Sequence, residues 1–174
     1  MLLQRATEED YPEIIDLANL AYRGTGPSAS WNAETGILDG QRLDESLLRD
    51  DVDNKPDGRL LIHRDEDDKT LLGCVWLEPT VDNVWYLGLV AVRPDHQKRR
   101  LGSTLLAAAE DFARNHGAQR ISMSVLMVRD TLIAWYVRRG YALTGETRPF
   151  PYGDDRFGRP LRDDLYFVVL EKAI

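Results

Sequence analysis

Val90-Ala91-Val92-Arg93-Pro94-Asp95-His96-Gln97-Lys98-Arg99-Arg100-Leu101-Gly102 joins an apolar strand to an amphipathic helix through a loop with three consecutive cations. The first turn of a helix presents four backbone N–H groups without intrahelical partners, and its dipole places about half a positive charge there. Anions are favoured at that end, so Lys98, Arg99 and Arg100 oppose the helix they precede. A bound polyanion reverses the sign, because amides and cations then act on the same phosphates. Taken alone, the stretch also fits a solvated basic turn before an ordinary helix.

A second stretch follows one helix and one strand later: Ala134-Trp135-Tyr136-Val137-Arg138-Arg139-Gly140-Tyr141. Its helix is expected to open with Asp130 as N-cap, and Gly140 is placed to stop it after Arg138 and Arg139 in the last turn. Together the two stretches resemble motifs A and B of the GNAT superfamily of N-acetyltransferases. Motif A reads Gln/Arg-x-x-Gly-x-Gly/Ala there, and motif B sets a helical tyrosine before Lys/Arg-x-Gly-aromatic. Two positions depart from the family. Arg100 stands where the first glycine is usual, a place where a left-handed backbone is cheap only for Gly. Arg129 stands where an asparagine is common.

Periodicity places the remaining elements around these motifs. Thr7-Glu8-Glu9-Asp10 caps a helix with Ile14, Leu17, Ala18 and Ala21 on one face, and a second short helix carries Leu43, Leu47 and Leu48. Strands are expected at residues 59–63, 70–77 and 84–92, followed by a helix striped with Leu101, Leu105, Leu106, Ala109, Phe112 and Ala113. A strand at 121–125, a helix at 131–138 and strands at 141–147 and 165–170 complete the order, with a Pro/Gly-containing insertion at 148–162. The pattern alone suggests an α/β domain with helices on both faces of a mixed sheet. The resemblance implies a GNAT-like, mainly antiparallel sheet flanked by helices, with parallel strands splayed at an acyl-CoA cleft. Gly88 is a place where the strand can leave regular pairing.

The 174 residues suit one N-acetyltransferase domain over 1–174. The formal charge of −7 argues against nucleic acid or an acidic membrane surface as partner, and there is no apolar run long enough to span a bilayer. No secretory pattern is visible, so a cytoplasmic protein is expected; a homodimer stays open. Cys74 lies in an apolar run and reads as a buried small hydrophobe, while His63, His96 and His116 lack ligand spacing, so no metal is expected.

The resemblance implies acetyl transfer from acetyl-CoA, as cosubstrate, to a primary amine of a small molecule, amino acid or peptide, by direct attack on the thioester. It implies CoA binding by Val90, Ala91 and Val92 on the strand, by Gln97, Lys98, Arg99, Arg100, Leu101, Gly102 and Ser103 at the helix start, and by Arg129. Tyr136 matches the family tyrosine that assists the leaving thiolate. Its reference pKa of about 10, against about 8.5 for a thiol, favours hydrogen-bond stabilisation over full proton transfer. Relatives place a base on the strand leading to motif A, where this chain has Gly88; Glu78, at the end of the preceding strand, is the candidate base, directly or through water. The acceptor is expected among Tyr22, Trp31, Glu34, Gln41 and Arg42 early, and Arg148, Phe150 and Tyr152 late. An aromatic wall with one carboxylate suits a cationic amine, whereas Arg42 and Arg148 suit a substrate carboxylate. The alternative function is a noncatalytic acyl-CoA-binding sensor or partner module. Ala21-Tyr22-Arg23-Gly24, Leu38-Asp39-Gly40-Gln41-Arg42 and Gly145-Glu146-Thr147-Arg148-Pro149-Phe150-Pro151 further resemble a bacterial and fungal subgroup of the family.

Overall fold

The run Leu71-Leu72-Gly73-Cys74-Val75-Trp76-Leu77 is buried on both faces, so the strand it forms needs helices above and below it. A computed structural model describes residues 1–26, 29–94 and 100–174. In chain order the elements are β1 (Gln4–Arg5), α1 (Tyr11–Arg23), β2 (Leu38–Asp39), α2 (Glu45–Asn54), β3 (Arg59–Arg64), β4 (Leu71–Pro79) and β5 (Val84–Val92). Then come α3 (Leu101–Asn115), β6 (Arg120–Leu126), α4 (Asp130–Val137), β7 (Ala142–Pro149), β8 (Arg159–Pro160) and β9 (Tyr166–Ala173). Seven strands form one sheet in the order β1-β3-β4-β5-β6-β9-β7, and β2 pairs with β8 apart from it. The β5–β6 pair is parallel and the other neighbours are antiparallel.

Ile14, Leu17, Ala18 and Ala21 of α1 pack with Leu48 of α2 onto Leu60, Ile62, Cys74, Trp76 and Ala91. On the opposite face Leu105, Leu106, Ala109 and Ala113 of α3 join Leu132 and Tyr136 of α4 over Val75, Leu77, Leu87, Ile121 and Met123. A third cluster, Leu38, Leu126, Phe150 and Leu165, sits under the late insertion. Cys74 is fully buried, and burial pushes its thiol up to about 12. No helix among the described residues is long and apolar enough to cross a membrane.

The parallel ladder decides where the site lies. β5 and β6 pair only at Val84↔Arg120, Trp85↔Ile121 and Tyr86↔Ser122; beyond that β6 follows β9 while β5 stays with β4, so the two strands part. On the β4 side Cys74 faces Ala91 and Trp76 faces Gly88, leaving Leu89 and Val90 together opposite Val75. That is a bulge, and it re-aims the strand at the point of separation. The left-handed residue is Leu89, at φ +44°, rather than the adjacent Gly88. A Cβ on Gly88 would stand 3.0 Å from the Tyr86 ring, so the glycine serves the close approach and Leu89 carries the backbone strain.

Two local expectations differ from the structure. Asp130 is the first residue inside α4, with Arg129 at the N-cap position; in the first turn its charge suits the helix dipole without a capping bond. The two-residue strands β1, β2 and β8 are too short for any periodicity to announce. Gly140 does end the segment after Arg138 and Arg139, at φ +91°.

Candidate active site

A cavity of about 350 Å³ fills the gap where β5 and β6 diverge. It is lined by residues 86–90 of β5, 123–126 of β6, Leu132 and Tyr136 of α4, Tyr22 of α1, Glu34 and Arg42, and by Arg148 and Phe150 from the late segment. A second cavity of about 250 Å³ lies against the start of α3, lined by Trp31, Asn32, Val92, Arg100, Gly102, Ser103, Trp135 and Arg139. Tyr22, Val90, Leu132 and Tyr136 line both, so the two spaces meet at the bulge of β5.

Tyr136 is buried, with its ring edge-on to Trp135 at 5.0 Å and to Tyr141 at 5.6 Å. Its hydroxyl makes no hydrogen bond among the described residues. Burial, then the proximity of Tyr22, raises its pKa well above the ordinary tyrosine value, against the opposing pull of Arg129. The phenol is therefore a proton-bearing donor at the junction of the cavities. Tyr22 is committed elsewhere, because its hydroxyl donates to the Val90 carbonyl at 3.2 Å and pins the bulge.

At the start of α3, Arg100 sits in the left-handed region (φ +58°, ψ +18°), and its carbonyl accepts from Ser103 N at 3.0 Å and Thr104 N at 3.1 Å. A non-glycine residue there costs roughly 1–2 kcal/mol, and it keeps the turn that a glycine would make. Arg139 stacks on Trp135 with its guanidinium carbon 3.6 Å from the ring centre and donates to Ser103 Oγ at 2.6 Å. Burial and the neighbouring Arg138 lower its pKa. Gln97, Lys98 and Arg99 lie outside the described residues.

A model of the acetyltransferase (GNAT) family matches residues 11–141. The chain belongs to the GNAT family. Mycothiol acetyltransferase of Rhodococcus jostii (strain RHA1) is 27% identical over 141 residues, 76% of this chain but only 42% of that protein, so the chain spans less than half of this curated relative. Ribosomal-protein-alanine N-acetyltransferase from Brucella melitensis shares the fold over 100% of both chains with a TM-score of 0.69 at 20% identity. A putative streptothricin acetyltransferase from Bacillus anthracis str. Ames, solved in complex with acetyl coenzyme A, matches 70% of this chain and 65% of its own with a TM-score of 0.55 at 17% identity. Across this family likeness the mixed sheet, the parted parallel strands and the flanking helices are the GNAT architecture.

Within the GNAT frame, the expected site residues sort by cavity. Val90, Val92, Arg100, Gly102 and Ser103 line the α3 cavity, whereas Ala91 is fully buried on the α1 side and Leu101 packs against the core. Arg139 escaped the sequence reading because a cation in the last turn of a helix has a sufficient reason to be there. Trp31 lies on the α3 cavity, 6.3 Å from Trp135, and not on the wall of the cleft. Gln41 lines a surface recess with Asp39 and Arg159, away from the cleft. The Tyr152 hydroxyl donates to Arg162 O and accepts from Leu165 N, stapling the late insertion.

Both carboxylates expected in the chemistry are engaged. Glu78 is not among the cleft-lining residues; it pairs with Lys55 Nζ at 2.9 Å and accepts from Trp76 Nε1 at 3.3 Å. Glu34 reaches the cleft, but Arg23 holds one oxygen and Arg129 Nη1 the other at 2.9 Å. Arg129 also donates to the Asn32 carbonyl, so it ties the loop after α1 to the start of α4. Tyr22, Arg42, Arg148 and Phe150, from all three subgroup motifs, do converge on the cleft.

Proposed function

We propose that the chain is an acetyl-CoA-dependent N-acetyltransferase that transfers the acetyl group to a primary amine of a small molecule, amino acid or peptide. The observation that carries this is the meeting of two cavities at Tyr136 and Val90. The α3 cavity, with the N-terminal turn of α3, Arg100 and Arg139 on its lining, suits the phosphate-bearing end of CoA. The cleft beyond the bulge suits the amine. A noncatalytic CoA-binding module needs no second cavity of this size.

In this reading the amine nitrogen attacks the thioester carbonyl carbon, the C–N bond forms as the C–S bond breaks, and the electron pair leaves on sulfur. The Tyr136 hydroxyl donates a hydrogen bond to the departing thiolate. Among the described residues, Glu34 is the one carboxylate lining the cleft and both its oxygens are taken, so the amine sheds its proton to solvent. The test is acetyl-CoA titration by calorimetry, followed by thiol release on adding a panel of primary amines. Saturable binding and amine-dependent release are expected; binding without release from any amine overturns the catalytic reading.

A further inference from the structure

We infer that the acceptor amine also carries a compact anion, a carboxylate or phosphonate, held by Arg42 and Arg148; this rests on the acetyltransferase reading above. Arg42, Arg129 and Arg148 line the cleft against one carboxylate, Glu34. This excess of cations is local, because the chain as a whole carries −7. Glu34 is shared by Arg23 and Arg129, one negative charge against two positive, so both its oxygens are engaged and it is not free for a cationic substrate.

Arg42 has no carboxylate partner among the described residues. Its guanidinium lies between the rings of Tyr22, at 5.2 Å, and Phe157, at 5.8 Å, half-buried and facing the cavity. Aromatic faces hold a cation without neutralising it, and a desolvated guanidinium fork gains most from a bidentate oxyanion. The segment that carries it is fixed: Arg42 N donates to Asn19 Oδ1 at 2.6 Å, and Arg23 Nε donates to Gly40 O at 3.1 Å. Arg148, on β7, lines the same cavity, with Nη1 3.4 Å from Ser124 Oγ and Nε bound to Glu146 at 2.9 Å. Two guanidinium groups thus line one cavity, one of them without a carboxylate partner among the described residues, and that is where an anion is placed.

The experiment compares matched acceptors in the thiol-release assay: amino acids and dipeptides, their aminophosphonate analogues, their carboxamides and the decarboxylated amines. Acid members are expected to exceed their amide and decarboxylated counterparts at least tenfold in kcat/KM, mainly through KM, with carboxylate and phosphonate arms telling which anion fits. Arg42→Gln is expected to lower kcat/KM at least tenfold more for acids than for amides, and Arg42→Lys to keep part of the preference. Amides or decarboxylated amines that match or beat the acids, no turnover with any acid member, or an equal loss across all members in Arg42→Gln overturns the inference. Failure to bind acetyl-CoA at all instead marks failure of the acetyltransferase reading.

Discussion

Arg129 donates to Glu34 across 95 residues of sequence at 2.9 Å, with both side chains buried, and Arg23 closes on the other carboxylate oxygen. One carboxylate thus ties the end of α1 to the start of α4 beside the cleft that Glu34 and Arg129 line. Glu34→Ala leaves the buried Arg129 and the partly buried Arg23 without their carboxylate and is expected to cost about 3–5 kcal/mol. Urea denaturation measures it; a loss under about 1 kcal/mol would show that the triad is not holding the loop.

Arg100→Gly removes a side chain from a left-handed backbone, and the turn it makes is the one glycine adopts freely. Stability of the free protein is expected to rise by about 1 kcal/mol, read as a melting temperature higher by roughly 2–4 °C. A lower melting temperature would mean that the guanidinium makes contacts that outweigh the strain.

Much of this architecture was open to reading before any coordinates. The stripes of α1 and α3 and the doubly apolar run of β4 announce their buried faces, because burial imposes period on sequence. Glu110 shows the limit: it lies inside the buried stripe of α3 and is tolerated because the Tyr141 hydroxyl donates to it at 2.9 Å and Lys172 at 2.6 Å. Both partners come from distant strands or loops, so no local pattern reveals it. The same reason hid the fates of Glu34 and Glu78. A carboxylate's role depends on which cations the fold brings near it, and Arg129 and Lys55 arrive from other elements. The sequence named Tyr136 and Arg42, and both line the cleft, while Arg139 needed the packing of α4 against the start of α3 to appear.

Tyr136→Phe deletes the hydroxyl and keeps the ring contacts with Trp135 and Tyr141. Turnover is expected to fall about ten- to a thousandfold, with acetyl-CoA affinity and melting temperature close to those of the parent. A fall in melting temperature with turnover retained would make Tyr136 a packing residue.

The pH profile follows from the raised Tyr136 pKa. A phenol whose pKa lies above the ordinary 10.0 keeps its proton through neutral and alkaline solution, so the donor persists and no falling limb is expected below pH 10. With the cleft carboxylate fully paired, the rate rises with the free-amine fraction of the acceptor, with unit slope in log kcat/KM below the amine's own pKa. A rising limb near pH 4–6 that is independent of the acceptor would instead identify a protein carboxylate as base.

The most direct measurement of the central claim is product stoichiometry with carbon-13-labelled acetyl-CoA, following free thiol and acetylated amine in the same reaction by absorbance and NMR. The account predicts one N-acetylated amine per thiol released, with both rates falling together in Tyr136→Phe. Thiol release without N-acetyl product, or at a rate unchanged by any amine, would contradict acetyl transfer in this cleft.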